Sequence, residues 1–519
     1  MRYAKSLVLA VGAILVLAAC GGGSSSTVSP TTTTARGNLI YNPPFRSASV
    51  TAADFTASLQ ASASGKQLLA LLTQAAILPV CGVDFHHIQY TTVGGQGEAT
   101  SAGGALMVPT GLPAVCTGKR PIVVYAHGTA FTRGYNLADP NDSTNEAATE
   151  TGLIAAVFAA QGYIVVAPNY AGYDTSPLPY HPWLNADQQS KEMIDAVSAA
   201  RQALGNIPAA TTLDSGKLFV TGYSQGGHVA MATHRAMQAA GMTVTASAPM
   251  SGPYALEAFA DAILFGHVNL GSTLFFPLLT ESFQHAYGNV YQATTDVYST
   301  TYATGIDTLL PGSLTSAQLF AQGKLPQSAL FNSTTPMTGN ATLDAELAVP
   351  ANPLFAAGFG NPYLMNNSIR IAYALDVAAS PDGALASSPP PSGAPLAANP
   401  MYPLRQDLKT NDLRNGGFFP HAPTLLCGGG NDPTVFCLNA QIMQAFWQPL
   451  NLPAGLVTVV NVDSAPSGPT DPFAQVKVGF TTTYAGLVTS EGAQKAIQQY
   501  HATVAPFCSL AAAGFFKNF

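Results

Sequence analysis

The chain has 519 residues, of which 47% are hydrophobic and only 9% are charged, and its formal net charge is −7. A chain of this length and hydrophobicity can bury a large core. Its few basic residues are scattered and form no cluster that could neutralise a run of phosphates, so the composition argues against nucleic-acid binding.

The first twenty residues have the layout of an export signal. Arg2 and Lys5 precede an uncharged apolar run over residues 7–19, which is too short for a membrane-spanning helix. The run ends in Leu-Ala-Ala-Cys, which resembles the lipobox of bacterial lipoproteins. The resemblance implies that residues 1–20 are a lipoprotein signal, that Cys20 is the lipidation site, and that the protein is anchored in the bacterial cell envelope, on its periplasmic or surface side. An ordinary cleaved signal peptide, which would give a secreted protein, is the alternative.

Residues 21–50 are predicted to be a flexible tether between this anchor and a folded body. Residues 21–36 consist mainly of Gly, Ser and Thr and cannot contribute to a core.

Strand patterns follow the tether. Residues 87–93 and 105–109 are β-rich and flank a Gly-rich connection, which predicts an antiparallel hairpin at the edge of a sheet. Residues 121–126, 163–167 and 218–221 are continuous apolar runs, typical of strands that are buried on both faces of a parallel sheet. Two further strands are predicted over residues 424–427 and 456–462.

A helix is predicted before the third buried strand, because Met193, Val197, Ala200 and Leu204 form one stripe that ends at Gly205. The alternation of strand and helix predicts the α/β class. It indicates a mostly parallel central sheet flanked by helices and built from residues 51–253 and 421–519. We interpret residues 254–420, which break this rhythm, as an inserted cap or lid over the substrate pocket; a separate small helical domain is the alternative.

Five cysteines follow Cys20, and in an exported protein they are expected to form disulfides before any metal site. The pairs that we favour are Cys427–Cys437, across the short loop that carries Asp432, and Cys81–Cys116. Connectivity cannot be deduced from a sequence, and the odd count leaves one cysteine unpaired. No metal site is predicted, because residues 427 and 437 have no Cys or His pair nearby.

Residues 222–227, Gly-Tyr-Ser-Gln-Gly-Gly, contain the pattern G-x-S-x-G. The pattern alone is weak in a Gly-rich chain, but here it directly follows an apolar strand and precedes a helical stripe over residues 229–240. A nucleophilic serine needs this sharp turn, in which Gly222 and Gly226 lack the Cβ atoms that would collide. Ser224 is therefore the predicted nucleophile; an idle serine in a Gly-rich turn is the alternative.

Residues 125–129, Tyr-Ala-His-Gly-Thr, follow another apolar strand, where the second donor of an oxyanion hole is expected. The predicted donors are the backbone N–H groups of Thr129 and of Gln225, which begins the helix after the nucleophile. His127 is expected to brace this loop, since it comes before the nucleophile in the chain.

The acid and the base are expected after the insertion. Asp432 follows the strand at 424–427 and a glycine turn, which predicts that it is the acid; Asp463 is the second candidate, and a turn-capping aspartate is the alternative. His501 is the only histidine after His421, and we expect it to be the base, in a loop between the last strand and the closing helix. A surface histidine at a helix start is the alternative for His501.

In this order, residues 127–128, residues 222–227, Asp432 and His501 resemble the α/β-hydrolase superfamily. Residues 162–170 and the Gly-Tyr-Ser-x-Gly-Gly turn are similar to the secretory lipase family and its bacterial lipoprotein relatives, although Asn169 stands where those proteins usually have Asp. The resemblance covers roughly residues 85–250 and 420–519. It implies an α/β-hydrolase fold with a helical cap in the position of the insertion.

The sequence thus predicts a serine carboxylic-ester hydrolase, an esterase or lipase, that forms an acyl-enzyme on Ser224 without a metal or an organic cofactor. Its expected partners are a small or lipid-like ester substrate and the membrane that holds Cys20. A serine peptidase or an acyltransferase with the same triad is the alternative among enzymes. A non-catalytic binding lipoprotein is the alternative outside them. The sequence makes no prediction of the oligomeric state.

Overall fold

The computed structural model describes residues 35–519, except residues 62, 76 and 208–210. The predicted signal sequence, Cys20 and the first part of the predicted tether lie outside the described residues. From Gly37 onward the chain is bound to the sheet: the Gly37 N–H donates to Thr91 and the Ile40 N–H donates to Gln89, at 2.8 Å each. The prediction of a tether as far as residue 50 is therefore wrong, because this segment finds backbone partners along an open strand.

Eleven strands lie in the described residues, and nine of them form one sheet. In chain order the strands are β1 (Phe45–Val50), β2 (Gly82–Val93), β3 (Ala99–Thr110), β4 (Gly118–Ala126), β5 (Ile164–Pro168), β6 (Thr212–Tyr223), β7 (Ala246–Met250), β8 (Phe331–Asn332), β9 (Phe359–Gly360), β10 (Thr424–Gly428) and β11 (Val457–Asn461).

The large sheet has the order β1-β2-β3-β5-β4-β6-β7-β10-β11. Along this order, the pairs β1–β2, β2–β3 and β3–β5 are antiparallel. All the later pairs, from β5–β4 to β10–β11, are parallel, as predicted for the class. The predicted hairpin is formed by β2 and β3, but β1 lies outside it and is the sheet edge. β7 is not predicted from the sequence, because its residues, Ala-Ser-Ala-Pro-Met, include no β-branched side chain and only their buried position makes them a strand.

Sixteen α-helices lie in the described residues. They are α1 (Ala52–Ala61), α2 (Ala63–Gln74), α3 (Ala148–Val157), α4 (Ala186–Leu204), α5 (Gln225–Ala239), α6 (Leu256–Leu264), α7 (Ser272–Tyr287), α8 (Thr294–Val297), α9 (Ser316–Ala321), α10 (Ala341–Glu346), α11 (Pro353–Ala356), α12 (Asn367–Ala379), α13 (Pro403–Asn411), α14 (Leu438–Trp447), α15 (Ala474–Glu491) and α16 (Ala493–Phe516). None of these described helices combines the length and the apolarity needed to cross a membrane.

The chain between β7 and β10 contains the helices α6 to α13 and the small pair β8–β9. Its apolar side chains form a hydrophobic cluster that is distinct from the cluster around the large sheet, and Trp183 and Leu184 join it from the loop before α4. A fully buried arginine ties its segments together. Arg405 in α13 bonds to Asp261 in α6 at 2.7 Å and to Asp376 in α12 at 3.1 Å. Such buried, multiply bonded arginines hold helices in one arrangement.

Two disulfides are present. Cys81 is bonded to Cys116, as predicted, and Cys427 is bonded to Cys508 in α16. Cys437 is the unpaired cysteine among the described residues. The prediction of a Cys427–Cys437 bridge is therefore wrong. Two bridges are typical of a protein that folds in an oxidising compartment outside the cytoplasm.

The alternation of side chains along β10 explains the observed pairing. Leu425 and Cys427 pack with the cluster that contains residues of α16, whereas Leu426 packs with Met443 of α14. Neighbouring residues of a strand point to opposite faces of the sheet, so Cys427 points toward α16. Cys437 caps α14 and is therefore on the wrong side of the sheet for Cys427.

Candidate active site

Three of the predicted site segments begin where strands of the parallel part of the sheet end. β4 ends at Ala126, β6 at Tyr223 and β10 at Gly428. The carboxyl ends of parallel strands meet at one edge of a sheet, where α/β proteins usually bind their ligands. The loop after β4, the turn at Ser224 and the loop of Asp432 therefore lie at the same edge.

Ser224 lies on a strained turn between β6 and α5. Its backbone has φ 61° and ψ −122°, which L residues rarely adopt. Two glycines allow the turn: a Cβ on Gly226 would lie 1.9 Å from the carbonyl oxygen of Ala126, and a Cβ on Gly222 would lie 2.3 Å from the carbonyl oxygen of Gly226. The strand, turn and helix that the sequence predicts around Ser224 are thus present.

Asp432 and His501 are hydrogen-bonded to each other. Nδ1 of His501 lies 2.6 Å from Oδ2 of Asp432, while Oδ1 of Asp432 accepts the backbone N–H groups of Thr434 at 2.9 Å and Val435 at 3.1 Å. A carboxylate oxygen can only accept, so the proton of a neutral imidazole lies on Nδ1 and Nε2 is left with a free lone pair. A general base needs this tautomer.

His501 lies inside the closing helix and not in a loop before it, so that part of the prediction is wrong. α16 begins at Ala493, and the residues up to His501 are mainly Ala, Gln, Lys and other residues that tolerate a helix. The prediction placed the base by its order along the chain, whereas the local sequence favours continuous helix.

Tyr223 connects His501 to the turn of Ser224. Its hydroxyl donates to the backbone carbonyl of His501 at 2.5 Å, and the two rings are 4.9 Å apart between centroids. Ser224 is the next residue. Among the described residues, no hydrogen bond joins Oγ of Ser224 to the buried Nε2 of His501. Such bonds are often long or misaligned before a substrate binds. The structure thus places His501 beside the nucleophile's turn without forming this contact.

The two predicted oxyanion-hole residues, Thr129 and Gln225, line the same cavity as Ser224. Gln225 is the first residue of α5, so its backbone N–H lies at a helix N-terminus, where the dipole favours negative charge. The loop of Thr129 also comes close to the serine: a Cβ on Gly128 would lie 3.8 Å from Cβ of Ser224. Both residues are thus next to the position of the nucleophile.

His127 has the contacts of a residue that supports this loop. It is fully buried, and its ring stacks against Tyr135 at 4.3 Å and Tyr170 at 4.0 Å. Its Nε2 lies 3.1 Å from the backbone carbonyl oxygen of Asn169. Burial lowers the pKa of His127.

Asn169 is explained by its partners. Its Oδ1 accepts the N–H of Leu137 at 2.8 Å, and its Nδ2 donates to Asn136 at 3.0 Å and to Oδ2 of Asp174 at 3.1 Å. The same oxygen of Asp174 lies 2.6 Å from Nε2 of His87. An aspartate at position 169 would place a second carboxylate against Asp174, whereas the amide donates to it.

Asp463, the second candidate for the acid, braces the loop of Asp432. Its carboxylate accepts the backbone N–H groups of Gly430 at 3.1 Å and Asn431 at 3.0 Å, and it also accepts the hydroxyl of Tyr500. Within the described part of the chain, no hydrogen bond joins it to His501. The structure therefore favours Asp432 as the partner of the imidazole.

The cavity beside Ser224 is lined mainly by apolar side chains. Trp183 and Leu184 come from the loop before α4, and the remaining wall comes largely from the helices between β7 and β10. This wall includes Leu256, Phe259, Ala260, Ile263, Leu264, Phe275, Phe276, Leu279, Leu404 and Leu408. The sequence analysis expected a pocket under the insertion but missed Trp183 and Leu184, because loop residues carry no periodic pattern.

Across residues 35–519, with the gaps given above, no group of three or more His, Cys, Asp or Glu side chains is arranged to hold a metal ion.

Comparisons with known proteins concern the fold and the family. The model of the prolyl oligopeptidase family matches residues 150–260, which include the turn at Ser224. No curated protein matches the sequence significantly. Among solved structures, the rice cell wall degrading esterase LipA from Xanthomonas oryzae is 27% identical; the match covers 89% of this chain and 99% of LipA, with a TM-score of 0.61.

Two more distant structures are also similar. A structure from Legionella pneumophila is 17% identical over 92% of this chain and 97% of its own, with a TM-score of 0.61, and it supports the fold alone. Lipase A from Candida antarctica is 14% identical over 92% of this chain and 85% of its own, with a TM-score of 0.44.

Proposed function

We propose that this chain, which belongs to the α/β-hydrolase superfamily and is esterase- or lipase-like in structure, hydrolyses carboxylic esters through an acyl-enzyme on Ser224. The observation that carries the proposal is the 2.6 Å bond between Asp432 and His501 beside the strained turn of Ser224. This arrangement supplies an orienting acid, a base in the required tautomer and a nucleophile at one sheet edge.

In the proposed reaction, Oγ of Ser224 attacks the ester carbonyl carbon while Nε2 of His501 takes its proton. The carbonyl oxygen becomes an oxyanion and accepts hydrogen bonds from the backbone N–H groups of Thr129 and Gln225. As the tetrahedral intermediate collapses, His501 returns the proton to the departing alcohol, leaving the acyl group on Ser224. Water, deprotonated by His501, then releases the carboxylic acid and restores the enzyme. Asp432 holds the imidazole orientation throughout.

The substrate that fits is an ester with an apolar acyl or alcohol group. Two polar residues of the cavity wall are already paired: Nδ2 of Asn269 donates to Thr434, and the hydroxyl of Ser272 donates to Asn269. Burial of an apolar group against such a wall is favourable in free energy, whereas a polar group would lose its hydrogen bonds to water. We propose that residues 254–420 act as the cap that builds this wall.

A serine peptidase is the second candidate, because the family model that matches residues 150–260 is that of the prolyl oligopeptidases. That match includes the turn at Ser224, which different reactions on this fold can share. None of the described residues that line the cavity is charged, so its wall offers no charged group to a polar peptide. An acyltransferase would need an alcohol or amine acceptor in place of water.

Turnover of two matched substrate series tests the reaction class. We expect the purified protein to cleave p-nitrophenyl esters of acetate, butyrate, octanoate and benzoate, with kcat/KM at least about a hundredfold above that for the corresponding peptide p-nitroanilides. Faster cleavage of the anilides would contradict the proposal and favour the peptidase. Accumulation of a transfer product in the presence of a short alcohol, at the expense of free acid, would favour the acyltransferase.

We propose further that Cys20 anchors the protein in the cell envelope by its lipid. The support is the lipobox-like sequence that ends at Cys20, together with the two disulfides that suit an oxidising compartment. When expressed in a bacterium, the protein should remain with the membrane fraction after a salt wash. The Cys20→Ser variant should lack the mass of the lipid on its N-terminal peptide. Release of both forms by salt, with identical peptide masses, would contradict the anchor.

A further inference from the structure

The loop between β5 and α4 carries a three-residue segment, His181–Trp183, that contacts both proposed oxyanion-hole residues. The side chain of His181 is hydrogen-bonded to the side chain of Gln225, and the side chain of Trp183 is hydrogen-bonded to that of Thr129. The two amides proposed to bind the oxyanion come from segments far apart in the sequence. One short segment therefore touches the residues of both.

The bonds of His181 fix its tautomer. Nδ1 lies 2.9 Å from the backbone carbonyl of Ala171, which can only accept, so the ring proton lies on Nδ1. Nε2 then accepts from Nε2 of Gln225 at 2.7 Å. Burial lowers the pKa of His181 to about 3, so the ring stays neutral and keeps this acceptor at any pH at which an ester hydrolase works.

Trp183 contacts the second proposed oxyanion-hole residue, Thr129. Its indole Nε1–H donates to Oγ1 of Thr129 at 3.0 Å. Its ring also stacks against Phe275 in α7, with centroids 5.8 Å apart and planes 12° apart. The same side chain thus contacts the oxyanion loop and a helix of the proposed cap.

The segment itself has little freedom to move. His181 is 1% exposed; its ring stacks on Tyr170, with centroids 5.4 Å apart, and packs at a tilt against Tyr173, with centroids 4.7 Å apart. The neighbouring turn passes so close that a Cβ on Gly172 would lie 2.3 Å from the carbonyl oxygen of Tyr180. A rigid segment is what a pair of positioned donors requires, because an oxyanion hole lowers the barrier only if its donors are already aimed before the reaction.

We propose that His181 and Trp183 are positioning residues that hold the backbone amides of Gln225 and Thr129 at the spacing an oxyanion needs. The inference rests on the proposed function and goes beyond it, since neither residue touches the reacting atoms. The Trp183–Thr129 bond sets the position of the first donor loop, and the His181–Gln225 bond sets the orientation of the first residue of α5.

The test compares two tryptophan variants that undergo the same chemical change. Trp183→Phe keeps an aromatic ring against Phe275 but removes the indole N–H. Trp447→Phe is the matched control, because Nε1 of Trp447 donates to the buried carbonyl of Phe418 at 2.7 Å and Trp447 is not part of the Ser224 cavity. We expect Trp183→Phe to lower kcat for p-nitrophenyl butyrate by roughly tenfold to a hundredfold, and Trp447→Phe to lower only the melting temperature.

Two inhibitors separate positioning from a change in pocket shape. A butyl trifluoromethyl ketone forms a hemiketal oxyanion on the serine, whereas the matching methyl ketone binds without forming one to any large extent. Trp183→Phe should raise the inhibition constant of the trifluoromethyl ketone by the same factor by which it lowers kcat/KM, and should leave that of the methyl ketone within about twofold. Equal weakening of both ketones would overturn the inference.

Thr129→Val approaches the same hydrogen bond from its other end and decides the matter if Trp183→Phe fails to fold. It should reproduce the loss of kcat. The double variant should have a kcat no lower than that of the more impaired single variant, since both substitutions remove the same hydrogen bond. Additive losses in the double variant, or an unchanged kcat in both single variants, would overturn the inference. The proposed function would still stand in that case if ester turnover by the wild type depended on Ser224. A wild-type protein without ester turnover would overturn both.

Discussion

Replacement of Ser224 by alanine should abolish ester turnover, with kcat falling by at least about a thousandfold. The expected loss is large because the acyl bond is proposed to form on Oγ, so its removal would take away the covalent route and leave only the polarising effect of the proposed oxyanion donors. The side chain is only 9% exposed and sits on a turn that its glycine neighbours make possible, so the smaller alanine should leave the fold unchanged. Circular dichroism and the melting temperature check the fold.

Ser251 is the matched control for this experiment. It also follows a parallel strand at the same sheet edge and has a positive φ of 42°, so it has the outward signs of a second nucleophile. No histidine is hydrogen-bonded to it among the described residues. Ser251→Ala should keep ester turnover within about tenfold of the wild type, and a fluorophosphonate should label the wild-type peptide that contains Ser224. Turnover retained by Ser224→Ala and lost by Ser251→Ala would move the nucleophile to the neighbouring strand.

Replacement of Asp432 by asparagine should lower kcat by about 10⁴-fold, the cost seen in other triads when an amide replaces the carboxylate. The two N–H groups of Thr434 and Val435 hold the carbonyl oxygen of the new amide, so its NH₂ group faces Nδ1 of His501. The imidazole then carries its proton on Nε2 to accept that bond, and it cannot take a proton from Ser224. The loss should appear in kcat with little change in KM.

Asp463→Asn is the control, because Asp463 is the other carboxylate near this loop. It holds Gly430, Asn431 and Tyr500, so its replacement should lower the melting temperature while kcat falls by less than about tenfold. The split between stability and turnover distinguishes the two aspartates. A larger loss of kcat in Asp463→Asn than in Asp432→Asn would exchange their roles.

The sequence predicted best where one local pattern determines the structure. The apolar runs of β4, β5 and β6 are strands because they are buried on both faces, and the turn at 222–227 has its geometry because only glycines fit there. Since the parallel strands end at a common edge, the order of the motifs along the chain was enough to bring them together.

The sequence predicted least where the role of a residue depends on a partner from a distant segment. Which face Cys427 points to, and therefore that it bonds with Cys508, follows from how β10 is packed and not from spacing along the chain. The role of Asn169 depends on Asp174, and the contact of Trp183 with Thr129 depends on a loop without any pattern. Such contacts belong to the tertiary structure alone.

The Cys427–Cys508 bridge governs how the protein can be produced. It covalently joins the strand that leads to Asp432 and the helix that carries His501, and a reducing expression host would leave these two segments joined by packing alone. Material from such a host would contain polypeptide of the correct mass with a mixed population of active centres. Titration with a thiol-alkylating reagent measures how completely the bridges have formed in each preparation. Among the five cysteines after Cys20, only Cys437 remains free when both bridges are closed.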